Sequence, residues 1–281
     1  GMAMKNILKI MLMMITIFTI AGSAVYAAEI PVSDQDQLIT SNDWTEISNL
    51  QDEMKKEEPD ATIDYDKALK VYVDCNLIKL QTADTKKLTS ALESANYVWV
   101  IPFKMEKTYG MFTVAKGLPL REEAKSVLTK AEQEEVKNHA GKWMITEIAE
   151  HTVKPYYDIL LEKREALSDC TRVVLVGSQP GMRQPVALGM DDETARIWIS
   201  LGYQYPVMEK IPETQNVESG VYSFDSVAEI SDTYIEDSEV STGAGVQSRS
   251  SMKYVAGIGI IVIGSILILS VLKKKKLEDY E

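Results

Sequence analysis

The chain has 281 residues, 45% hydrophobic and 26% charged, a composition typical of one or two globular modules with targeting segments. Its net charge is −12, and residues 28–248 carry 39 acidic against 22 basic side chains, a net charge of −17. Such an acidic surface excludes nucleic-acid binding because it repels phosphate. It favours cationic partners, weak Ca²⁺ association or a solvated surface that keeps the protein soluble.

The N-terminus has the pattern of a secretory signal. Lys5 and Lys9 provide the positive region, and residues 10–20 provide a short apolar core. Small residues before the junction of Ala27 and Ala28 predict cleavage between these two alanines. The alternative is an uncleaved first membrane helix.

An acidic segment, residues 28–62, follows the signal. Trp44, Ile47, Leu50 and Met54 recur at helical spacing within it and predict one amphipathic helix. Trp44 is either a packing anchor onto the main domain or an exposed aromatic for recognition.

Residues 63–210 are predicted to form an extracellular α+β domain. Leu69 and Val71 alternate with Lys70 and Tyr72, which predicts a half-buried strand. Further apolar runs predict strands at residues 97–101, 109–115, 143–149, 173–176, 185–190 and 195–201, and helical spacing predicts helices at 84–94, 119–141 and 155–167. Thr82 or Asp84 is predicted to begin the first of these helices, and the pair Pro180-Gly181 predicts a type II turn.

The order of these elements suggests a weak internal repeat. A strand, a helix, a central strand and a hairpin occur in residues 68–116 and again in residues 143–190, without evident sequence identity. The predicted fold is a mainly antiparallel sheet with helices packed on one face.

The chain contains two cysteines, Cys75 and Cys170, each beside a predicted strand. Export to an oxidising compartment permits a disulfide between them, which would close a loop of about 95 residues. The alternative is two buried free thiols.

No catalytic, cofactor or metal motif stands out. His139 and His151 are isolated, and the sequence has no Gly-x-Ser-x-Gly elbow, phosphate-binding loop or His-Glu-x-x-His pattern. His151 near Glu147 and Glu150 could act as a base or a ligand, or it is a polar residue at a strand end. We therefore predict no catalytic residue, no cofactor and no metal.

The cluster Asp191-Asp192-Glu193 has two interpretations. It could hold Ca²⁺, but it lacks the glycine and the ligand spacing of an EF-hand loop. A solvated hairpin turn is the preferred interpretation.

Residues 211–252 are acidic and rich in Ser and Thr, and predict a mostly disordered stalk. The alternative is that residues 221–235 dock on the core as a strand or short helix. Residues 211–215, Ile-Pro-Glu-Thr-Gln, resemble the Leu-Pro-x-Thr-Gly signal of sortase-anchored surface proteins. They depart from it by Ile211, by Gln215 and by lying about 40 residues before the apolar helix, so anchoring by an intact membrane helix is the expectation.

Residues 253–272 are predicted to span the membrane, because the apolar run is about 27 Å long as a helix. Lys273, Lys274, Lys275 and Lys276 follow as a stop-transfer block and begin a short cytoplasmic tail, residues 273–281. The expected topology is a single-pass protein with its N-terminal domain outside the cell, as in exported Gram-positive surface proteins.

Two functions are compatible with this sequence. The first is a binding or accessory module that recognises a protein, a peptide or a cell-envelope component. The second is an extracellular hydrolase that uses a carboxylate pair or a Ser–His site. An open sheet edge would favour binding, and a cleft with convergent carboxylates would favour the hydrolase.

Overall fold

The computed structural model describes residues 29–151, 154–177 and 179–231. The predicted signal peptide, membrane helix, stop-transfer lysines and tail lie outside these ranges, as do residues 232–252 of the predicted stalk. Within the described ranges no helix is both long and apolar enough to cross a membrane.

The described residues form ten strands and eight α-helices, with short 3₁₀ turns between them. The strands are β1 Thr62–Ile63, β2 Leu69–Val73, β3 Asn96–Lys104, β4 Tyr109–Lys116, β5 Trp143–His151, β6 Arg172–Val176, β7 Val186–Met190, β8 Ala195–Ser200, β9 Asn216–Glu218 and β10 Val221–Ser223. The helices are α1 Trp44–Ile47, α2 Gln51–Glu57, α3 Thr85–Glu93, α4 Glu122–Lys125, α5 Lys130–His139, α6 Tyr156–Glu162, α7 Pro206–Glu209 and α8 Phe224–Ser231.

All ten strands belong to one sheet. Its order is β5-β4-β3-β2-β6-β7-β8-β10-β9, and β1 pairs with β3 beside this path. Every pairing is antiparallel except that of β2 with β6, where Val71 lies opposite Leu175. The predicted α+β class with a mainly antiparallel sheet is therefore confirmed.

Helices cover both faces of the sheet. One apolar cluster joins Val71 and Val100 to Tyr156 and Leu160 of α6, and we call this side the α6 face. The strand residues that point to the opposite face form two further clusters. One lies under α3, α7 and α8, and the other lies under the N-terminal segment. The expectation of helices on one face was wrong because nearly every strand is apolar on both sides and needs two covers.

The internal repeat is present in the order of elements but not in space. In the first half, β2 pairs with β3. In the second half, β5 pairs with β4 and lies at the edge of the sheet, far from β6. The two halves are therefore not copies of one arrangement.

The N-terminal segment, residues 29–57, belongs to the folded unit. Leu38, Ile47 and Met54 are fully buried in the cluster that contains Trp99. The predicted amphipathic helix is present as α1, a 3₁₀ turn and α2. Trp44 packs on Tyr65 with 5.4 Å between ring centroids, in agreement with a packing role.

Strand β2 is buried on both faces and not on one as expected. Lys70 is only 9% exposed, because the N-terminal segment lies over it. The alternation of Lys70 with apolar residues predicts a solvent-exposed face of β2. The cover over that face comes from a segment distant in sequence, which a local pattern cannot indicate.

The predicted helix 119–141 is split into α4 and α5. Thr129 begins α5 with a capping box, in which its hydroxyl accepts from the Glu132 amide and the Glu132 carboxylate accepts from the Thr129 amide. Val136 is the buried residue of α5, whereas Val127 is 44% exposed.

Several turns have the predicted chemistry. Asp84 caps α3 by accepting from the amides of Lys86 and Lys87. Gly181 has φ +72°, as the third residue of a type II turn requires, and the Met182 amide donates to the Gln179 carbonyl at 2.8 Å.

Residues 211–231 also fold onto the core, contrary to the expected disordered stalk. Strand β10 pairs with β8, and Phe224 of α8 stacks on Trp198 with 5.8 Å between ring centroids. The scattered apolar residues of this segment are enough to dock it. Ile211 is 5% exposed, so the residues that resemble a sorting signal begin inside the folded unit.

Candidate functional site

The candidate site is a polar group on the α6 face, which we call the Glu147 site. It is formed by the buried residues Thr113 and Tyr156 and the half-buried residues Glu147 and Tyr203. Thr113 lies on β4 directly opposite Glu147 of β5. The strand pairing shifts register beside this pair, where Thr146 is the extra residue, and the Thr146 hydroxyl donates to the Thr113 carbonyl at 3.1 Å. A β-bulge of this kind redirects a side chain at a sheet edge.

Burial raises the pKa of the Glu147 carboxyl to about 7, because the charged form loses its hydration. A hydrogen bond with the Thr113 side chain opposes this rise by favouring the charged form. Glu147 therefore exchanges its proton near neutral pH, as a general acid or base would.

The two tyrosines complete the site. Their hydroxyls lie 2.8 Å apart, and Tyr156 is 4% exposed. Burial is the main cause that raises the pKa of both phenols, and the charge of Glu147 raises both further. The site therefore holds two neutral hydroxyls beside one carboxyl of variable charge.

The sheet curls around this site. Glu147 lies on the edge strand β5, and Tyr203 follows β8, six strands away in the sheet order. A flat sheet would separate these strands by roughly 29 Å, too far for the effect of Glu147 on Tyr203. Apolar residues of β5, β8 and β10 also share one cluster on this face.

Strand β5 offers a second feature next to the site. It pairs only with β4, so its outer edge has no strand partner among the described residues. The Gly117 amide donates to the Lys142 carbonyl at 2.9 Å, which sets the alternation along β5. The N–H and C=O groups of Trp143 and Ile145 then point away from β4.

The two histidines lie at the ends of elements. His139 ends α5, and its Nδ1 lies 2.8 Å from the Glu135 carbonyl, so the ring is held by its own helix. His151 ends β5, in agreement with a residue at a strand end, and its side chain is not among the described ones. A role of His151 as a base or a ligand stays a hypothesis.

The acidic turn after β7 is used by the fold. Asp191 accepts from the amides of Glu193 and Thr194 at 2.8 and 2.6 Å and pairs with Arg196 at 2.6 Å. These contacts lower the pKa of Asp191, the Thr194 amide most strongly. The hairpin turn between β7 and β8 is confirmed. In the described ranges no group of three His, Cys, Asp or Glu side chains is placed to hold a metal.

The two cysteines are free thiols at opposite ends of the sheet. Cys75 lies level with Gln179, whose side-chain amide donates to the Cys75 carbonyl at 2.7 Å. Cys170 precedes β6, nine residues before Gln179, or roughly 30 Å along a strand. A disulfide needs Cα atoms within about 7 Å, so this arrangement favours the alternative of two free thiols.

The sequence did not indicate Tyr156 and Tyr203 as site residues. Tyr156 recurs at helical spacing with the apolar residues of the predicted helix 155–167, and Tyr203 follows a predicted strand without any motif. The contact between these two tyrosines depends on the curl of the sheet, which no short sequence pattern indicates.

Comparison with protein-family models, with curated proteins and with solved structures gave no match. The chemistry of the site itself therefore has to carry the functional argument.

Proposed function

We propose that this protein is a membrane-anchored extracellular binding or accessory module that takes an extended segment of a protein or cell-envelope partner along β5. The observation that carries the proposal is the outer edge of this nine-residue strand, which no described strand pairs. An unpaired edge can add another chain where its outward backbone groups are accessible, which at β5 excludes Ile145 because this residue is fully buried.

The two edges of the sheet differ in their capacity to accept a strand. The opposite edge is β9, which has three residues, and a short edge strand offers few backbone groups. Strand β5 is three times as long, which makes it the better site for strand addition.

The β-bulge at Thr146 and the side chain of Glu147 restrict which partner strand can pair with β5. Bulges and inward charges protect edges against unspecific pairing, so they argue for a selected partner over any extended chain. A strand laid on β5 would bring its own side chains next to the Glu147 site. The net charge of −17 over residues 28–248 supports a partner with cationic side chains.

The placement outside the cell rests on the signal peptide and the membrane helix predicted from the sequence. These segments would hold the folded unit at the outer face of the membrane through residues 253–272. The membrane is then a partner only through that helix.

The hydrolase remains the second candidate because of the pKa of Glu147. A carboxyl that titrates at about 7 beside two hydroxyls could transfer a proton. A glycosidase mechanism would also need a second carboxyl within roughly 5–10 Å. The four residues of the Glu147 site include a single carboxyl, that of Glu147.

Site-specific photo-crosslinking in cells tests the binding proposal. A photoreactive amino acid at Lys142, exposed beside the start of β5, is expected to capture a discrete partner. The matched control is Lys86 on α3, equally exposed but remote from this edge. Equal capture at both positions, or capture at neither, would contradict the proposal.

Hydrogen exchange supplies a second readout on the full chain. The outward amide of Trp143, a residue that is 7% exposed, is expected to slow its exchange at least tenfold with the captured partner. If exchange of this amide is unchanged by the partner, binding does not use the β5 edge.

A further inference from the structure

Lys70 occupies an unusual position for a lysine. It lies on β2, is 9% exposed, and its Nζ is surrounded by three aromatic rings. The distances from Nζ to the ring centroids are 4.4 Å for Tyr97, 5.3 Å for Trp99 and 5.6 Å for Tyr72. The amine is therefore removed from water and held in a fixed place.

Asp36 of the N-terminal segment reaches the same place and is 3% exposed. Its Oδ1 lies 3.7 Å from the Lys70 Nζ and accepts from the Tyr72 hydroxyl at 2.7 Å. Its Oδ2 accepts from the Ser33 hydroxyl at 2.6 Å and from Arg172 at 3.1 Å. One carboxyl is thus presented to one amine, and the donors fix its orientation.

We propose that Lys70 and Asp36 form an intramolecular isopeptide bond. The neutral Nζ attacks the carboxyl carbon of Asp36, a C–N bond forms, and one carboxyl oxygen leaves as water with two protons. The amine supplies one of these protons and the carboxylic acid supplies the other, so the balance needs no oxidant and no further reactant.

Burial favours the neutral amine of Lys70. It is the main cause that lowers the pKa of Lys70, and the charges of Asp36 and Asp43 oppose it. The charge of Arg172 also lowers this pKa, so the Lys70 amine loses its proton more readily than an exposed lysine does. Fixed proximity supplies the high effective concentration that amide formation requires.

Neighbouring groups provide the remaining chemistry. Tyr72, Ser33 and Arg172 donate to the oxygens on which negative charge develops in the tetrahedral intermediate, as donors of an oxyanion hole do. Asp43 accepts from Tyr97 and from Trp99, which line the Lys70 site, and its charge acts on Lys70. Asp43 therefore holds two of the rings that enclose the Lys70 amine.

The bond would tie the N-terminal segment to a central strand of the sheet. The cysteines do not perform this task, since Cys75 and Cys170 are free thiols. An exported protein without a disulfide would gain a covalent link that reducing agents cannot open.

Peptide mapping of the purified full chain tests the proposal without any variant. After denaturation and trypsin digestion, we expect a branched peptide that joins Asp36 to Lys70, about 18 Da lighter than its two parts. Trypsin should not cleave at Lys70. Separate peptides with cleavage at Lys70 would overturn the proposal.

The same digest contains a matched control. Lys67 and Asp158 are closer, with 3.0 Å between Nζ and Oδ1, but their side chains are 34% and 29% exposed. Cleavage at Lys67 without a branched product is the expected result, because proximity without burial leaves the amine charged. A link between Lys67 and Asp158 as well would overturn the argument that burial drives the reaction.

Two variants test the roles of the groups. Lys70→Met is expected to remove the branched peptide. Asp43→Ala removes the acceptor that holds Tyr97 and Trp99, and we expect linkage after refolding to slow at least tenfold, whereas Asp43→Asn keeps an acceptor and should restore most of the rate. Equal rates for Asp43→Ala and the unchanged chain would overturn this positioning role of Asp43.

Discussion

The hydroxyls of Tyr156 and Tyr203 lie 2.8 Å apart and connect α6 to the segment after β8. Tyr156 is buried and Tyr203 is half-buried, so the Tyr156 hydroxyl depends on Tyr203 in place of water. Glu147 from the far edge of the sheet acts on both. The Tyr156–Tyr203 hydrogen bond therefore joins distant parts of the curled sheet at the Glu147 site.

The first prediction concerns this pair. Tyr203→Phe should lower the free energy of unfolding by about 1–3 kcal/mol, because the buried Tyr156 hydroxyl loses its partner. Urea unfolding measures the change. The double variant Tyr156→Phe, Tyr203→Phe should be no less stable than Tyr203→Phe alone, because no orphaned hydroxyl remains. Additive losses would contradict the contact.

The second prediction concerns pH. The pKa of Glu147 is about 7 in the folded protein against an ordinary 4.5, so the folded state binds more protons between these values. This contribution to stability is complete below pH 4.5 and is lost as pH rises through 7. Glu147→Gln should remove that loss and stabilise the protein by up to about 3 kcal/mol at pH 8.

Thr113→Val provides the matched comparison for Glu147. It removes the hydrogen bond that lowers the pKa of Glu147, so the pKa should rise further and stability should fall more steeply above pH 7. Chemical denaturation from pH 5 to pH 9 measures both variants. Parallel profiles for Glu147→Gln and the unchanged chain would show that Glu147 is solvated.

The third prediction concerns the thiols. Burial raises the pKa of both Cys75 and Cys170 to about 11, so few thiolates exist at neutral pH. A thiol reagent should react slowly with the native protein and should titrate two thiols per chain after denaturation without reductant. Fewer than two thiols, or a melting temperature that falls with reductant, would indicate a disulfide.

The fourth prediction concerns Gly110, which lies opposite Phe103 in the β3–β4 pair. A Cβ at Gly110 would lie 2.1 Å from the Phe103 ring, so Gly110→Ala must displace a residue that is 1% exposed. We expect a loss of about 1–3 kcal/mol in thermal or urea unfolding. The variant Gly110→Ala, Phe103→Leu should recover part of it, since the smaller side chain leaves room.

The fifth prediction concerns the C-terminal boundary of the folded unit. Limited proteolysis of the full chain should spare residues 211–231, because β10 and α8 pack on β8. Phe224→Ala removes the stack on Trp198 and should cost about 3–5 kcal/mol, with new cleavage in α8. Rapid cleavage before residue 221 in the unchanged chain would support a disordered stalk.

The sequence predicted the local structure well where neighbours in the chain determine it. Alternation gave the strand at Leu69, side-chain chemistry gave the cap at Asp84, and the Pro-Gly pair gave the turn at Gly181. Each of these depends on residues within a few positions.

The site could not be predicted in the same way. The pKa of Glu147 depends on burial beneath a curled sheet, and the burial of Lys70 depends on a segment more than 30 positions earlier. The place of β5 at the edge of the sheet, paired with β4 and not with β6, is also set by long-range packing. Period and propensity contain no information on these contacts.

The single parallel pair has a consequence for the order of folding. Val71 of β2 and Leu175 of β6 are 104 positions apart, and every antiparallel pair within β2–β5 and within β6–β10 joins residues much closer in sequence. Closing so long a loop is slow compared with hairpin formation. The two half-sheets should therefore assemble first, and their junction at β2–β6 should be the last part of the sheet to form.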